Sequence, residues 1–209
     1  MRRVRTVVLL VRAPRLGAVK RRLAAGVGDV AAWRFYRATT ASVVRRLSGD
    51  RRWRLRISVT PDRLAHGTRF WPRGVARMAQ GAGDLGQRMA RAFALVPPGD
   101  AVVIGGDIPG ITKALIGHAF ALLGAHDAVF GPARDGGYWL IGLSRKRRHP
   151  GLFRGVRWST AHALGDTRAR LDRRRRVAVI ESLDDVDDAE ALWRHVQAES
   201  RRRELWRRT

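Results

Sequence analysis

The chain of 209 residues is 45% hydrophobic, 29% charged and free of cysteine, and its formal net charge is +24. This length suits one domain over residues 1–209, and the hydrophobic fraction excludes a disordered chain. Without cysteine, disulfide frameworks and thiolate metal sites are excluded.

The first predicted strand covers residues 4–11, a continuous apolar and β-branched run of the kind that is buried on both faces of a sheet. The loop behind it holds Pro14, Gly17 and Lys20. A glycine here lets backbone amides approach a phosphate, and Lys20 supplies a counter-charge. The pattern of a Walker A loop is missing. These residues leave phosphate binding and a solvated loop both open.

A helix over 30–47 and a strand over 53–60 come next, followed by a helix over 84–95 that ends before the prolines at 97 and 98. The residues expected on the apolar face of the first of these helices are Ala31, Phe35, Ala38, Ala41 and Val44.

A short buried strand over 101–104 ends at Gly105, Gly106 and Asp107. Asp107 would lie at the carboxyl end of this strand, where ligands gather in open α/β sheets. A carboxylate beside a diphosphate is a hard oxygen ligand for Mg²⁺ or Mn²⁺. The alternative is that Asp107 caps the next helix, predicted over 112–123, but four residues separate it from Thr112.

Strands over 127–130 and 137–143 enclose a glycine-rich segment that contains Asp135. Asp135 could bind a sugar hydroxyl, act as a base or hold a metal. The alternative is a hairpin turn over 135–137 in which glycines adopt positive φ values, and both interpretations are compatible.

The last predicted elements are a helix over 159–171, a strand over 177–180 and a helix over 186–203. An acidic cluster precedes the terminal helix, where acidic side chains also stabilise the helix dipole. Asp185 and Asp187 could nevertheless complete a divalent-metal site. The alternation of strands and helices predicts an α/β fold with a mostly parallel sheet and helices on both faces.

The motifs together resemble a bacterial family of GT-A-like glycosyltransferases, often labelled as linked to arsenosugar biosynthesis. This family is related to MobA-like nucleotidyltransferases and phospholactate guanylyltransferases. Residues 131–143 are the most specific part of the resemblance. The segments that carry it are 14–20, 80–89, 106–110, 131–143, 156–160 and 183–192.

The resemblance implies a GT-A-like nucleotide-diphospho-sugar transferase fold and a metal, Mg²⁺ or Mn²⁺, on Asp107, Asp185 and Asp187. Asp107 and Asp135 would be the catalytic residues. The implied nucleotide or phosphate contacts are Arg12, Pro14, Gly17, Lys20, Arg88 and Gly106. The implied acceptor or sugar contacts are Gly136, Gly137, Tyr138 and Trp158.

The sequence departs from the family pattern in its first loop and at its metal ligand. The family reads Lys-Thr-Arg-Leu where this chain has Arg21 after Lys20, and it has lysine where this chain has Arg12. The missing hydroxyl removes one phosphate or metal contact, and arginine keeps the charge but not the shape of lysine. Asp107 is also not part of a complete DxD motif.

We therefore expect a glycosyltransferase that uses a nucleotide-diphospho-sugar donor and a small-molecule acceptor. The alternative is a nucleotidyltransferase that uses a nucleoside triphosphate. A homo-oligomer is compatible with the sequence. The six histidines lack zinc-site spacing, and no nucleophile elbow is present.

A basic nucleic-acid-binding module is the less favoured class. All but three of the 42 basic residues are arginines, with runs at 145–148, 173–176 and 201–203. Such runs can bind phosphates, but they lack interleaved aromatic residues, and a solvated basic surface explains them. The apolar run over 7–11 is too short for a signal peptide, and no stretch reaches the roughly 20 apolar residues of a membrane span. We expect a cytoplasmic protein that does not insert into membranes.

Overall fold

The structure is a computed structural model that describes residues 4–66, 70–145 and 149–208. The basic run at 146–148 therefore lies outside the described residues. Within the described ranges the chain forms seven strands: β1 (Thr6–Arg12), β2 (Arg54–Thr60), β3 (Ala76–Ala79), β4 (Ala101–Gly105), β5 (Ala128–Pro132), β6 (Tyr138–Leu143) and β7 (Val177–Val179).

The same ranges contain six α-helices and one short 3₁₀ turn over Asp62–Leu64. The helices are α1 (Arg21–Val27), α2 (Asp29–Leu47), α3 (Leu85–Leu95), α4 (Lys113–Leu122), α5 (Ala163–Ala169) and α6 (Ala189–Arg208). No helix among the described residues combines the length and the apolarity needed to cross a bilayer.

The strands form one sheet in the order β3-β2-β1-β4-β6-β5-β7. Every neighbouring pair is parallel except the two pairs made by β6, which runs antiparallel to β4 and β5. From β1 the chain builds outward to β2 and β3 on one side and later to β4 on the other. The topological switch point, where ligands bind in open α/β sheets, thus lies between the carboxyl ends of β1 and β4.

Alternate residues of β1 pack into two hydrophobic cores on opposite faces of the sheet. Val7, Leu9 and Val11 belong to one core with residues of α2 and α4, whereas Val8 belongs to the other with residues of α3. This division follows from the two-residue repeat of a strand. The predicted class, a mostly parallel sheet covered by helices on both faces, is confirmed.

The sequence analysis placed most of the buried face of α2 about one position off, although Val44 is buried as predicted. The residues that are buried include Ala32, Tyr36, Val43 and Leu47, whereas Ala31 and Ala38 are exposed. The error arose because Tyr36, Thr39 and Thr40 carry polar groups that a simple apolar pattern discounts, although all three are buried here.

Two elements, α1 and β3, were not predicted, and two helices, α5 and α6, begin more than two residues later than expected. The short helix α1 is rich in arginine and contains Gly26, so its periodicity is weak. Strand β3 has four residues and lies at the edge of the sheet. Helix α5 begins at Ala163 rather than at residue 159, because Ser159 has a φ of 59°, which is incompatible with a right-handed helix.

Candidate active site

Lys20 lies at the topological switch point and forms ion pairs with two carboxylates that are far from it in the sequence. Its Nζ is 2.8 Å from Asp107 Oδ2 and 2.5 Å from Asp187 Oδ1, and only 3% of its side chain is exposed. The exposed Arg22 also pairs with Asp187. The loop after β1, the end of β4 and the segment before α6 thus meet at one ammonium group. We call Lys20, Asp107, Asp185 and Asp187 the charged cluster.

The position of Asp107 is fixed because its neighbour Gly106 packs closely against β1. The Gly106 amide donates to the Leu10 carbonyl oxygen at 3.1 Å, and a β-carbon on Gly106 would overlap the Val11 side chain. The alternative that Asp107 caps α4 is wrong. Thr112 is the cap, because its hydroxyl accepts from the Leu115 amide at 3.2 Å.

The acidic segment before α6 contributes one carboxylate to the helix cap and two to the charged cluster. Asp188 caps the helix, because its Oδ1 accepts from the Ala191 amide at 2.8 Å. Val186 is buried, and Asp185 and Asp187 flank it. Neither of these two carboxylates is therefore needed to begin the helix, so both are left for the charged cluster.

Burial and ion pairing act in opposite directions within the charged cluster. Burial alone would lower the pKa of Lys20, but Asp107 and Asp187 outweigh it and raise that pKa above its ordinary value. Burial likewise opposes ionisation of Asp187, whereas Lys20 holds the pKa of Asp187 below its usual range. Burial and the adjacent charge of Asp187 raise the pKa of Asp185 to about 7. The cluster is thus a crowded set of carboxylates with Lys20 as its buried cation.

A cleft of about 250 Å³ lies beside this cluster. On one side it is lined by side chains that we call the apolar wall, namely Leu85, Met89, Tyr138 and Trp158. Six of the predicted site residues line the cleft together: Asp107, Asp135, Gly137, Tyr138, Trp158 and Asp185.

Asp135 serves the turn between β5 and β6 and also faces the cleft. Its Oδ1 accepts from the Gly137 amide at 2.9 Å, so the predicted hairpin turn is present. Gly136 has a φ of 80°, and a β-carbon there would overlap the Ala161 backbone. The carboxylate of Asp135 remains exposed and lines the cleft. The predicted hairpin turn is thus confirmed, with a positive φ at Gly136 but not at Gly137, and the role of Asp135 toward a ligand stays a prediction.

Tyr138 and Trp158 form the aromatic part of the apolar wall. Their rings meet edge to face with centroids 6.4 Å apart. The Tyr138 hydroxyl lies 3.4 Å from Thr167 Oγ1 and 3.8 Å from Met89 Sδ, and burial raises its pKa. The hydroxyl thus lies against the core, and the ring forms part of the cleft surface.

The first loop is anchored by two aromatic residues of α2 that the sequence analysis missed. The buried Tyr36 hydroxyl accepts from the Arg12 amide at 3.0 Å and donates to the Arg12 carbonyl oxygen at 2.8 Å. Trp33 Nε1 donates to the Pro14 carbonyl oxygen at 3.1 Å. Gly17 follows with a φ of 70°. The only available signal was Tyr36 itself, one of two tyrosines in the chain, within a predicted helix.

Arg88 contacts a different region from the charged cluster. Its Nε donates to the Gly83 carbonyl oxygen at 3.0 Å, just before α3. Gln80, which belongs to the same motif, was also missed as an anchor. It is buried, and its Nε2 donates at 2.9 Å to the carbonyl oxygens of Val11 and Ser58, which joins the ends of β1 and β2. A phosphate contact by Arg88 stays a prediction.

The chemistry of the charged cluster fits a divalent cation. Three carboxylates provide hard oxygen ligands of the kind that Mg²⁺ and Mn²⁺ prefer. A cation, the Lys20 ammonium, already lies between two of them. Among the described residues, no group of three or more acidic, histidine or cysteine side chains is gathered as a ready-made metal site in this arrangement.

Comparison with known proteins identifies a similar family and a solved structure of moderate sequence identity. A family model described as "Uncharacterized protein conserved in bacteria (DUF2064)" matches residues 43–160. No curated protein sequence matches the chain. A solved protein from Desulfovibrio desulfuricans, provisionally named a nucleotide-diphospho-sugar transferase, is 30% identical. Its TM-score is 0.79, over 88% of this chain and 82% of that one.

Two more distant structures share the fold. The 4-diphosphocytidyl-2C-methyl-D-erythritol synthase from Anaerococcus prevotii is 11% identical, with a TM-score of 0.58 over 90% of this chain and 94% of that one. Glucosyl-3-phosphoglycerate synthase from Mycobacterium tuberculosis, solved with Mn²⁺, UDP and phosphoglyceric acid, is 14% identical, with a TM-score of 0.55 over 86% of this chain and 69% of that one. These likenesses concern the fold alone, and with the structure of higher identity they confirm the predicted GT-A-like fold.

Proposed function

Because this chain belongs to the DUF2064 family of bacterial proteins, we propose that it is a transferase acting on a nucleotide-activated sugar. In the reaction we propose, a sugar moves from a nucleoside diphosphate to a small-molecule acceptor. The moderately identical Desulfovibrio protein, with its provisional sugar-transferase name, supports this choice of substrate class.

One observation carries the proposal: Lys20, Asp107 and Asp187 meet at the switch point beside a cleft that Asp135 also lines. Such a point is where nucleotides bind in open α/β sheets. A lysine and a set of carboxylates are the groups that bind phosphates directly and through a divalent cation. A sugar attached to the diphosphate would extend into the cleft.

The donor would bind with its diphosphate over the loop that follows β1. Backbone amides near Gly17 and the Lys20 ammonium would bind phosphate oxygens. Tyr36 and Trp33 fix the base of this loop through the backbone of Arg12 and Pro14, so little ordering would be needed when the donor binds. Mg²⁺ or Mn²⁺ held by Asp107, Asp185 and Asp187 would supply neutralisation of the departing diphosphate.

The acceptor would enter the cleft from the side of Asp135. The acceptor hydroxyl attacks the anomeric carbon of the sugar, and the bond from that carbon to the diphosphate oxygen breaks. The hydroxyl proton passes to the Asp135 carboxylate, and the nucleoside diphosphate leaves. Tyr138 and Trp158 provide a flat apolar surface on which a sugar ring can lie.

The alternative is a nucleotidyltransferase, in which an acceptor phosphate attacks a nucleoside triphosphate and pyrophosphate leaves. The fold favours neither reaction, because the Anaerococcus and Mycobacterium enzymes share it at similar TM-scores. The two reactions require different nucleotides, so ligand binding separates them.

The test is thermal unfolding with a panel of diphospho-sugars and nucleoside triphosphates, with and without Mg²⁺ or Mn²⁺. A ligand at about 100 times its dissociation constant adds about 2.7 kcal/mol of stability, which raises the melting temperature by several degrees. We expect a metal-dependent shift with one diphospho-sugar, and we expect Asp107→Asn to abolish that shift.

Asp172→Asn is the matched control, because Asp172 lies in the turn before β7, an edge strand that is separated from β4 by β6 and β5. It should leave the ligand-induced shift unchanged. A shift with triphosphates alone would replace the sugar transferase by the nucleotidyltransferase. If no nucleotide shifts the transition, both reactions are wrong, and salt-sensitive binding of an oligonucleotide would then identify a nucleic-acid-binding protein.

A further inference from the structure

The charged cluster already holds a cation at the place where a divalent metal would be needed. Lys20 Nζ bridges Asp107 and Asp187 at 2.8 Å and 2.5 Å, and 97% of its side chain is shielded from solvent. Each of these carboxylates is itself about one-third exposed. Solvent therefore reaches the carboxylates more readily than it reaches the ammonium between them.

We propose that Lys20 and a divalent metal ion are alternative cations for Asp107 and Asp187, so that the metal enters only when the Lys20 ammonium leaves. This inference rests on the proposed function, because it takes the charged cluster as the metal site. The two cations compete for the same carboxylate oxygens, since Nζ lies within hydrogen-bond distance of both residues.

The charge balance of the cluster favours exchange over simple addition. Three carboxylates face one buried ammonium, and the second cation in contact, Arg22, is exposed and reaches only Asp187. Asp185, on the other side of the buried Val186 from Asp187, lines the same cleft as Asp107. A divalent ion carries twice the charge of Lys20 and could bind all three carboxylates, whereas Lys20 forms ion pairs with two of them.

The backbone of Lys20 gives a second indication of a function at this position. Its φ and ψ are both 49°, a left-handed conformation that is strained for any residue other than glycine. Such strain persists where the surroundings impose it, and it concentrates at functional sites. The ion pairs with Asp107 and Asp187 are interactions that hold the residue in this conformation.

The exchange couples metal binding to donor binding. When the metal replaces the ammonium, Lys20 is released next to the loop where the diphosphate lies. The diphosphate then provides the negative charge that Lys20 has lost. Each ligand consequently strengthens the binding of the other, and this coupling is reciprocal. Without nucleotide, the lysine lowers the affinity for the metal, because the carboxylates are free for only a fraction of the time.

The first experiment measures Mn²⁺ binding to the nucleotide-free protein by calorimetry for the wild type, Lys20→Met and Arg22→Met. We expect Lys20→Met to bind Mn²⁺ at least about tenfold more tightly, because a carboxylate pair occupied nine-tenths of the time by lysine loses tenfold in apparent affinity. Arg22→Met removes the same charge from the exposed side of Asp187, and it should change the affinity by less than about fivefold.

The second experiment uses the wild type and does not depend on the folding of a variant. The chain has lysines only at positions 20, 113 and 146, so an amine-reactive reagent followed by peptide mapping reports Lys20 separately. Lys20 should be protected without metal and should become reactive when Mn²⁺ is added. Lys113, at the start of α4 and exposed, is the internal control and should react equally in both conditions.

Several results would overturn the exchange. Equal gains in affinity for Lys20→Met and Arg22→Met would show a general charge effect, and unchanged protection of Lys20 in the Mn²⁺-bound wild type would show that both cations bind together. If no form binds Mn²⁺ while a diphospho-sugar still shifts the unfolding transition, this inference is wrong and the sugar-transferase function stands. If Mn²⁺ releases Lys20 but no nucleotide binds, the exchange stands and the proposed function is wrong.

Discussion

The charged cluster and the apolar wall border the same cleft but are held in place by different forces. The cluster joins Lys20, Asp107 and Asp187 from distant parts of the chain through ion pairs, and both carboxylates are partly accessible to solvent. The wall forms where Met89, Tyr138 and Trp158 pack next to one of the two hydrophobic cores. The wall should therefore be formed before any ligand arrives, whereas the arrangement of the cluster should depend on the cations and anions present.

Gly136→Ala should produce the largest loss of stability, because it disrupts the side of the cleft that is held in place by packing. Alanine at a φ of 80° is strained, and its β-carbon would overlap the Ala161 backbone. The hairpin would have to move away from the segment that carries Trp158. We expect the free energy of unfolding in urea to fall by about 2–4 kcal/mol.

Gly151→Ala is the matched control for this prediction. Gly151 also has a positive φ, 70°, but a β-carbon there would meet nothing within 4 Å. Only the backbone strain remains, so the loss should be about 1–2 kcal/mol. Equal losses for the two variants would show that contact between the hairpin and Ala161 does not stabilise this side of the cleft.

Lys20→Met should cause a smaller loss of stability, and one that depends on metal. Removing the ammonium leaves Asp107 and Asp187 without their buried cation, which should cost about 1–3 kcal/mol in metal-free solution. Millimolar Mn²⁺ should restore most of the loss. Chemical denaturation with Mn²⁺ and with a chelator measures both values.

The response to metal is what separates the two sides of the cleft. The stability of Gly136→Ala relative to wild type should be the same with Mn²⁺ and with chelator. A metal response of similar size in both variants would mean that the hairpin and the charged cluster are coupled, and the proposed division between them would be wrong.

The sequence was sufficient to predict the elements that the switch point requires. A continuous apolar run predicted β1. The short apolar run over 101–104, followed directly by two glycines, predicted a buried strand with Asp107 at its carboxyl end. These signals are local, so one segment contains all the information. The fold class and its resemblance to nucleotide-diphospho-sugar transferases could therefore be predicted without the structure.

Long-range contacts at the site could not be predicted in the same way. Nothing local distinguishes Asp188, which caps α6, from Asp187, which pairs with Lys20 167 residues away. Tyr36 was missed because its role consists of two hydrogen bonds to the backbone of Arg12, which a pattern of apolar residues does not reveal. The site roles inferred from the resemblance remain predictions.

The two tyrosines of the chain allow the smallest and most direct comparison of the two sides. Tyr36→Phe removes the acceptor for the Arg12 amide and the donor to the Arg12 carbonyl, next to the loop that leads to Lys20. A partly buried amide left without a partner should cost about 1–2 kcal/mol of unfolding free energy. Because the loop is no longer fixed before binding, the affinity for the nucleotide should fall as well.

Tyr138→Phe removes the corresponding hydroxyl from the apolar wall and should have little effect. Its contacts with Thr167 and Met89, at 3.4 Å and 3.8 Å, are long, so the loss should be below about 0.5 kcal/mol. The ring stays in place, and nucleotide affinity should not change. Urea denaturation and ligand titration of both variants make the comparison. If Tyr138→Phe weakens nucleotide binding as much as Tyr36→Phe does, the Tyr138 hydroxyl contacts the donor. Both sides of the cleft would then contribute to the affinity for the nucleotide.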